Sequence, residues 1–289
     1  MARVEFGVFP IPVADERDMV LEQVLAAERH GLDLVGIQDH PYQRRFLDTW
    51  SLIPFLAART ERIRFFPDVA NLPLRPPAVM AKAAASIDLL SGGRFELGLG
   101  AGAFWEAIGA MGGPTLGGPA SVDALEEAIQ VIRLMWSGDR TVEFEGEYYS
   151  LGGLHPGPQP AHAIGIWLGA YGPRMMRVVG RLADGWLPSL PRLPLDEVLV
   201  KQQQIDEAAR AAGRDPAGIR RIANISGEIV DRAAVEWLHG PPKHWVEELT
   251  RLVSEFGFDG FVLSPAEGSL AQIERFATEV VPGVRSALG

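Results

Sequence analysis

Residues 63–102 read IRFFPDVANLPLRPPAVMAKAAASIDLLSGGRFELGLGAG, and this stretch decides the fold. Ile63–Val69 is an apolar run of strand length. Pro76-Pro77 then opens a helix whose Val79, Ala83, Ile87 and Leu90 recur at helical spacing, and Ser91-Gly92-Gly93 stops it. Phe95–Gly100 is the next strand, running directly into the small-residue loop Gly100-Ala101-Gly102-Ala103. Strand, helix, strand, with strands that are apolar on both faces, is the signature of a parallel sheet covered by helices.

The same period extends in both directions. Upstream, VEFGVFP (Val4–Pro10) is a strand, Asp15 stands where it can cap a helix carrying Val20, Leu21, Val24 and Leu25, and His30-Gly31 ends that helix. LVGIQ (Leu34–Gln38) follows as a strand bounded by Asp39 and His40, and Trp50 to Arg59 is helical. Downstream the rhythm breaks over about residues 104–160, with a Gly/Pro-rich loop (Gly112–Pro119), a helix carrying Leu125, Ile129, Ile132 and Trp136, and the hairpin-like TVEFEGEYYSL. It resumes with a strand at Ile164–Gly169, a helix after Pro173, a strand at Gly185–Ser189, a helix over Asp196–Ala212 and a strand at Ile219–Val230. A helix with Val246, Leu249, Val253 and Phe256 in register, a strand at Phe258–Ser264 and a closing helix around Ile273–Val281 complete the chain. About eight strands in strict alternation predict an α/β protein, a closed (β/α)8 TIM barrel with an insertion after the fourth strand. The competitor is an open doubly wound sheet. No composition shift marks a linker, so residues 1–289 read as one domain.

Composition narrows the function classes. With 47% hydrophobic residues the 289-residue chain can bury a large core. A net charge of −10 without clustered basic residues disfavours nucleic acid. The absence of cysteine removes disulfides, thiolate nucleophiles and cysteine metal sites. No apolar stretch reaches signal-peptide or membrane-helix length, which leads to the expectation of a cytoplasmic protein without membrane contact. Gly 32 and Pro 22 are spread along the chain rather than gathered in a linker, as many tight strand-to-helix turns would require.

In a parallel barrel the reactive groups gather at the carboxyl ends of the strands. Those ends offer Asp39 and His40; Asp68, Val69, Ala70 and Asn71; Gly100, Ala101 and Gly102; Ala170, Tyr171, Gly172 and Pro173; and Ser189 and Arg192. The set is small, apolar and glycine-rich, which suits a large flat ligand approached closely by backbone, with one imidazole at its side. His40 is the candidate proton donor or acceptor, the plainer reading being an Asp39-His40 pair that closes a turn. His155, His162, His239 and His244 lack the spacing of a zinc site, so no metal is expected. Gly98-x-Gly100-x-Gly102 lacks the third glycine of a dinucleotide turn, and no Ser nucleophile elbow is present.

LVGIQDH, FFPDVANLPLRPPAVMAKAAASIDLLSGGRFELGLGAGA, AYGPRMMRVVGRLADGW and HGPPKHWVEELTRLVSEFGFDGFVL together resemble the luciferase-like flavin-dependent oxidoreductases, in order and over nearly the whole chain. The DH that ends the second strand resembles the branch that uses the deazaflavin coenzyme F-420. The resemblance implies a barrel, a homodimer, a cofactor lying over the strand ends, and a non-prolyl cis peptide at Asp68-Val69. It implies cofactor contacts from Asp39, Asp68, Val69, Ala70, Asn71, Gly100, Ala101, Gly102, Tyr171, Gly172, Arg174 and Met175, and catalysis by His40. Ser189 and Arg192 fall near a substrate-reading position. Ala103 stands where F-420-dependent glucose-6-phosphate dehydrogenases carry a catalytic Glu, which speaks against that sugar phosphate. The reading is hydride transfer between reduced F-420 and a small organic substrate. The alternatives are an FMN-dependent monooxygenase using reduced flavin and O2, and a non-catalytic flavin-binding protein.

Overall fold

A computed structural model describes residues 3–234 and 236–289; Met1, Ala2 and Val235, which fall within the single-domain span read from the sequence, lie outside the described residues. The strands are β1 (Glu5–Val8), β2 (Leu34–Ile37), β3 (Arg64–Pro67), β4 (Ala70–Asn71), β5 (Leu97–Gly100), β6 (Val142–Glu145), β7 (Ser150–Leu154), β8 (Ile166–Leu168), β9 (Gly185–Trp186), β10 (Arg220–Ile229), β11 (His239–Gly240) and β12 (Gly260–Pro265). All but β6 and β7 belong to one parallel sheet, in the order β3-β2-β1-β12-β10-β9-β8-β5-β4, with β11 beside β10. The Phe65 N–H donates to Arg94 O at 2.9 Å and the Glu96 N–H to Phe65 O at 2.9 Å, joining β3 to the start of β5 and closing the ring. β3 and β4 form one barrel stave that changes partner across the cis bond Asp68-Val69: β3 pairs with β2, β4 with β5. The barrel read from the sequence is the fold, and the open sheet is not.

Helices α1 (Arg17–Arg29), α2 (Thr49–Ala57), α3 (Pro77–Ser91), α4 (Trp105–Ala110), α5 (Gly118–Trp136), α6 (Pro173–Leu182), α7 (Leu195–Ala211), α8 (Pro242–Phe256), α9 (Leu270–Arg275) and α10 (Val281–Leu288) surround the ring or fill the insertion. The insertion holds α4, α5 and the antiparallel hairpin β6-β7. One local expectation fails. Asp15 sits in a single 3-10 turn, Ala14–Glu16, and its side chain caps nothing, because α1 begins only at Arg17. A side-chain cap does occur at α2, where Asp48 accepts the Ser51 N–H at 2.8 Å.

Strand alternation sorts side chains into two cores. Leu34, Phe66, Trp167, Leu187, Ile222 and Val262 fill the barrel interior, with the Phe66 and Trp167 rings edge to face at 5.2 Å. The larger cluster lies between sheet and helices. Close approach of the β3 backbone requires glycine on the neighbouring stave: a Cβ on Gly98 would stand 2.0 Å from Pro67 O.

The two ends of the barrel differ in chemistry. At the amino ends, Arg64 pairs with Glu5 and, at 3.0 Å, with Glu96; Arg220 pairs with Glu5 at 2.8 Å and Asp259 at 3.0 Å. Charges there meet opposite charges. The carboxyl ends instead surround an open cavity.

Candidate active site

The inward-facing series that packs the barrel continues upward into a cavity of about 690 Å³ at the carboxyl ends of the strands, within the range that holds cofactor-sized ligands. Above Phe66 comes Asp68, above Leu187 comes Ser189, above Ile222 come Asn224 and Ser226, and above Val262 comes Ser264, all of which line the cavity. Of the residues singled out from the sequence, Asp39, His40, Asp68, Val69, Ala70, Asn71, Gly100, Ala101, Gly102, Tyr171, Gly172, Met175, Ser189 and Arg192 line it together. Arg174 does not. Its guanidinium pairs with Asp123 of α5 and donates to Pro119 O at 3.2 Å, tying α6 to the insertion.

His40 and Asp39 do not bond each other. The His40 Nδ1 lies 3.2 Å from the Tyr42 hydroxyl, with donor and acceptor set by the tautomer. Its ring stands 5.4 Å from Tyr42 and 5.6 Å from Phe104, so three rings form one wall. Burial, and secondarily the Arg192 charge, hold the imidazole below its usual pKa. The neutral form therefore prevails at neutral pH. Asp39 turns away from His40: its Oδ2 accepts the Asn71 N–H at 3.0 Å and the Trp50 indole N–H at 3.2 Å. Burial raises its pKa, against the opposing pull of the Asn71 hydrogen bond.

Asp68 is buried on the interior face, and burial pushes its carboxyl up to about 7, with the facing Asn224 only partly offsetting this. Val69 packs into space that glycines leave: a Cβ on Gly100 would stand 2.7 Å, and one on Gly169 3.1 Å, from its methyl groups. Tyr171 accepts the Ser189 N–H at 2.9 Å through its hydroxyl, and burial raises its pKa. Arg192 is the one Lys or Arg among the lining residues, and among the described residues it makes no ion pair or side-chain hydrogen bond.

Four buried acceptor oxygens around this cavity have no partner: Asp39 Oδ1, Asp68 Oδ2, Asn71 Oδ1 and Asn224 Oδ1. Buried acceptors left unpaired cost about 1–3 kcal/mol each, so a ligand that brings N–H and O–H donors is favoured here. Among the described residues no cluster of His, Asp and Glu has the arrangement of a metal site. No helix of the described residues is long and apolar enough to cross a membrane.

Reading strand ends missed Gln38, Tyr42, Phe104, Asn224, Ser226 and Ser264 as members of this lining. The period-2 alternation of β10 and β12 carries the signal for three of them, since Asn224, Ser226 and Ser264 share the face of Ile222 and Val262. Phe104 has no such signal: it reaches the cavity at the start of α4 through a left-handed backbone conformation, φ 52°.

The sequence profile of the luciferase-like monooxygenase family matches residues 5–237. A 5,10-methylenetetrahydromethanopterin reductase of Archaeoglobus fulgidus is 32% identical over 77% of this chain; the match spans 64% of that enzyme's own length. An F-420-dependent glucose-6-phosphate dehydrogenase of Amycolatopsis mediterranei is 30% identical over 90% of this chain and 85% of its own. The solved structure of an F-420-dependent secondary alcohol dehydrogenase in complex with an F-420-acetone adduct superposes with a TM-score of 0.86, at 19% identity, over 98% of this chain and 99% of that one.

Proposed function

Because the chain belongs to the luciferase-like monooxygenase family, we propose that it is an F-420-dependent oxidoreductase that moves a hydride between the deazaflavin and a small organic substrate. The observation that carries this reading is a 690 Å³ cavity among whose lining residues Asp39 Oδ1 and Asn71 Oδ1 are buried acceptors without a partner, with one half-buried imidazole in its wall. A tricyclic ring with an N–H edge and a polyhydroxyl tail brings the donors these oxygens lack, so the residues present fit the group. When bound, the deazaflavin supplies a carbon that gives or accepts a hydride.

The chain's own residues do the rest. Val69, packed into the space that Gly100 and Gly169 leave, and Ala70 beside it offer an apolar backing for a flat ring. Asp39 holds the Asn71 backbone in place beside it. Ala101, Gly102, Tyr171, Gly172 and Met175 border the outer part of the cavity, and Arg174 positions that border by holding the insertion against α6. His40 donates a proton to, or accepts one from, the substrate oxygen, its neutral form and its bond to Tyr42 orienting the ring. Ser189 and Arg192 read the substrate from the opposite rim. The single unpaired cation fits a substrate with at most one anionic group, in keeping with Ala103 at the site's edge.

FMN with O2 as co-substrate is the competing chemistry, favoured by the opening of α6 after Gly172, where first-turn amides can meet a phosphate. A non-catalytic binder has no use for an imidazole held by a phenol. The exposed apolar side chains Phe55 of α2 and Val79, Leu89 and Leu90 of α3 support self-association as a homodimer. The test of the reaction is anaerobic: reduced F-420 is mixed with the protein and a panel of small aldehydes, ketones and enones, and F-420 absorbance is followed. Substrate-dependent reoxidation of F-420 without O2 supports hydride transfer; an oxygenated product formed only in a parallel reaction with reduced FMN and O2 supports monooxygenation.

A further inference from the structure

Asp68 has no role in the hydride-transfer scheme above beyond its place in the lining, yet its surroundings are unusual for a carboxylate. It sits on the interior face of the barrel, buried, with no Lys, Arg or His among the groups acting on it. Its Oδ2 has no hydrogen-bond partner, and neither has Oδ1 of Asn224, the side chain that faces it from β10. The other neighbours are Gly36 of β2, whose missing side chain leaves room for Oδ2, and the ring of Phe66. Tyr171 is the one further titratable group coupled to it, and burial keeps that phenol neutral. The Asn224 amide acts on Asp68 as the one hydrogen bond that favours the charged form, and it does not offset the burial; Oδ2, buried and unpaired on a residue that lines the cavity, therefore favours a proton on the carboxyl itself.

We propose that Asp68 is a second acid of the site: it carries a proton on the cavity floor, faces Asn224, and donates a hydrogen bond to the bound ring, so that cofactor binding is coupled to proton uptake at this residue. This rests on the reading of the cavity as a flavin or deazaflavin site. A bound ring displaces water from the floor and offers carbonyl oxygens as acceptors; both effects favour the neutral carboxyl over the charged one. Below about pH 7 the acid is already neutral in the free protein, and binding needs no proton. Above it, each binding event takes one up, and affinity falls as pH rises.

The experiment titrates the 289-residue protein with F-420 and, separately, with FMN, following cofactor fluorescence from pH 6 to pH 8.5. The dissociation constant of the cofactor that binds is expected to rise about tenfold across that range. In Asp68→Asn, which keeps the shape and a neutral donor, the rise is expected to disappear, whatever pH dependence the cofactor's own groups or His40 contribute remaining in both proteins. Identical pH profiles for wild type and variant overturn the proposal. If neither cofactor binds at any pH, the cofactor reading fails, and the proton is still readable without ligand: infrared spectra of the free protein should show a protonated-carboxyl band at pH 6 that is lost by pH 8.5 and missing from Asp68→Asn at pH 6. A wild-type spectrum without that band overturns the proposal independently of any cofactor, and of whether the variant folds.

Discussion

The carboxylate of Asp39 accepts the backbone N–H of Asn71 at 3.0 Å and the indole N–H of Trp50 at 3.2 Å, binding the end of β2 to the end of β4 and to α2. The strand end that carries His40 is thereby fixed to the strand end that carries Val69 and Ala70. The proposed acid-base group and the proposed ring backing are held by one buried side chain.

Asp39→Ala removes both bonds and leaves the Asn71 N–H and the Trp50 indole without their acceptor. A loss of about 1–3 kcal/mol in stability is expected, read as a lowered midpoint in urea unfolding. Cofactor affinity should fall with it. An unchanged midpoint would show that the bond holds nothing together.

His40→Ala should leave cofactor affinity nearly intact while lowering turnover by about 10²-fold or more, as loss of a proton-transfer group does. The two readouts are fluorescence titration and steady-state kinetics on one preparation. Turnover equal to wild type would remove His40 from the chemistry.

The acid limb of kcat/KM should lie below pH 6.5 when His40 works as a base, because burial first and Arg192 second favour its neutral form. Arg192→Ala removes the second cause, so the limb should move up in pH toward 6.5. A limb that stays in place, or moves down, contradicts the assignment of that limb to His40.

Asp68 has a consequence for stability as well as binding. Its folded pKa of about 7 lies above the unfolded value of 3.8, so its contribution is fully present below pH 3.8 and is lost as pH rises to about 7. The charged form costs roughly 4 kcal/mol at pH 8. Asp68→Asn should therefore melt several degrees above wild type at pH 8, with the gap closing toward pH 5. Equal melting temperatures at pH 8 would mean that the carboxyl is not buried in the charged state.

The fold was legible because apolar runs such as Val4–Pro10, Leu34–Gln38 and Phe95–Gly100 coincide with barrel staves and because proline and glycine marked the helix ends at Pro77 and Gly92. Most of the proposed site was legible for the same reason, since strand ends are fixed once strands are. Two kinds of residue were not. Asp15 resembles a cap, but whether a side chain caps depends on where the preceding turn places it, and here a 3-10 turn intervenes. Tyr42 and Phe104 stand in loops, and their convergence on His40 follows from the path of the insertion rather than from any period in the sequence. Arg174 shows the converse: its motif is present, and its charge is spent on Asp123.

The central claim is that the cavity is built for a deazaflavin, and the most direct test titrates the purified protein with F-420 and with FMN under one set of conditions, following fluorescence. F-420 is expected to bind at least about tenfold more tightly, a difference of about 1.4 kcal/mol. Tighter binding of FMN, or no saturable binding of F-420, would contradict it.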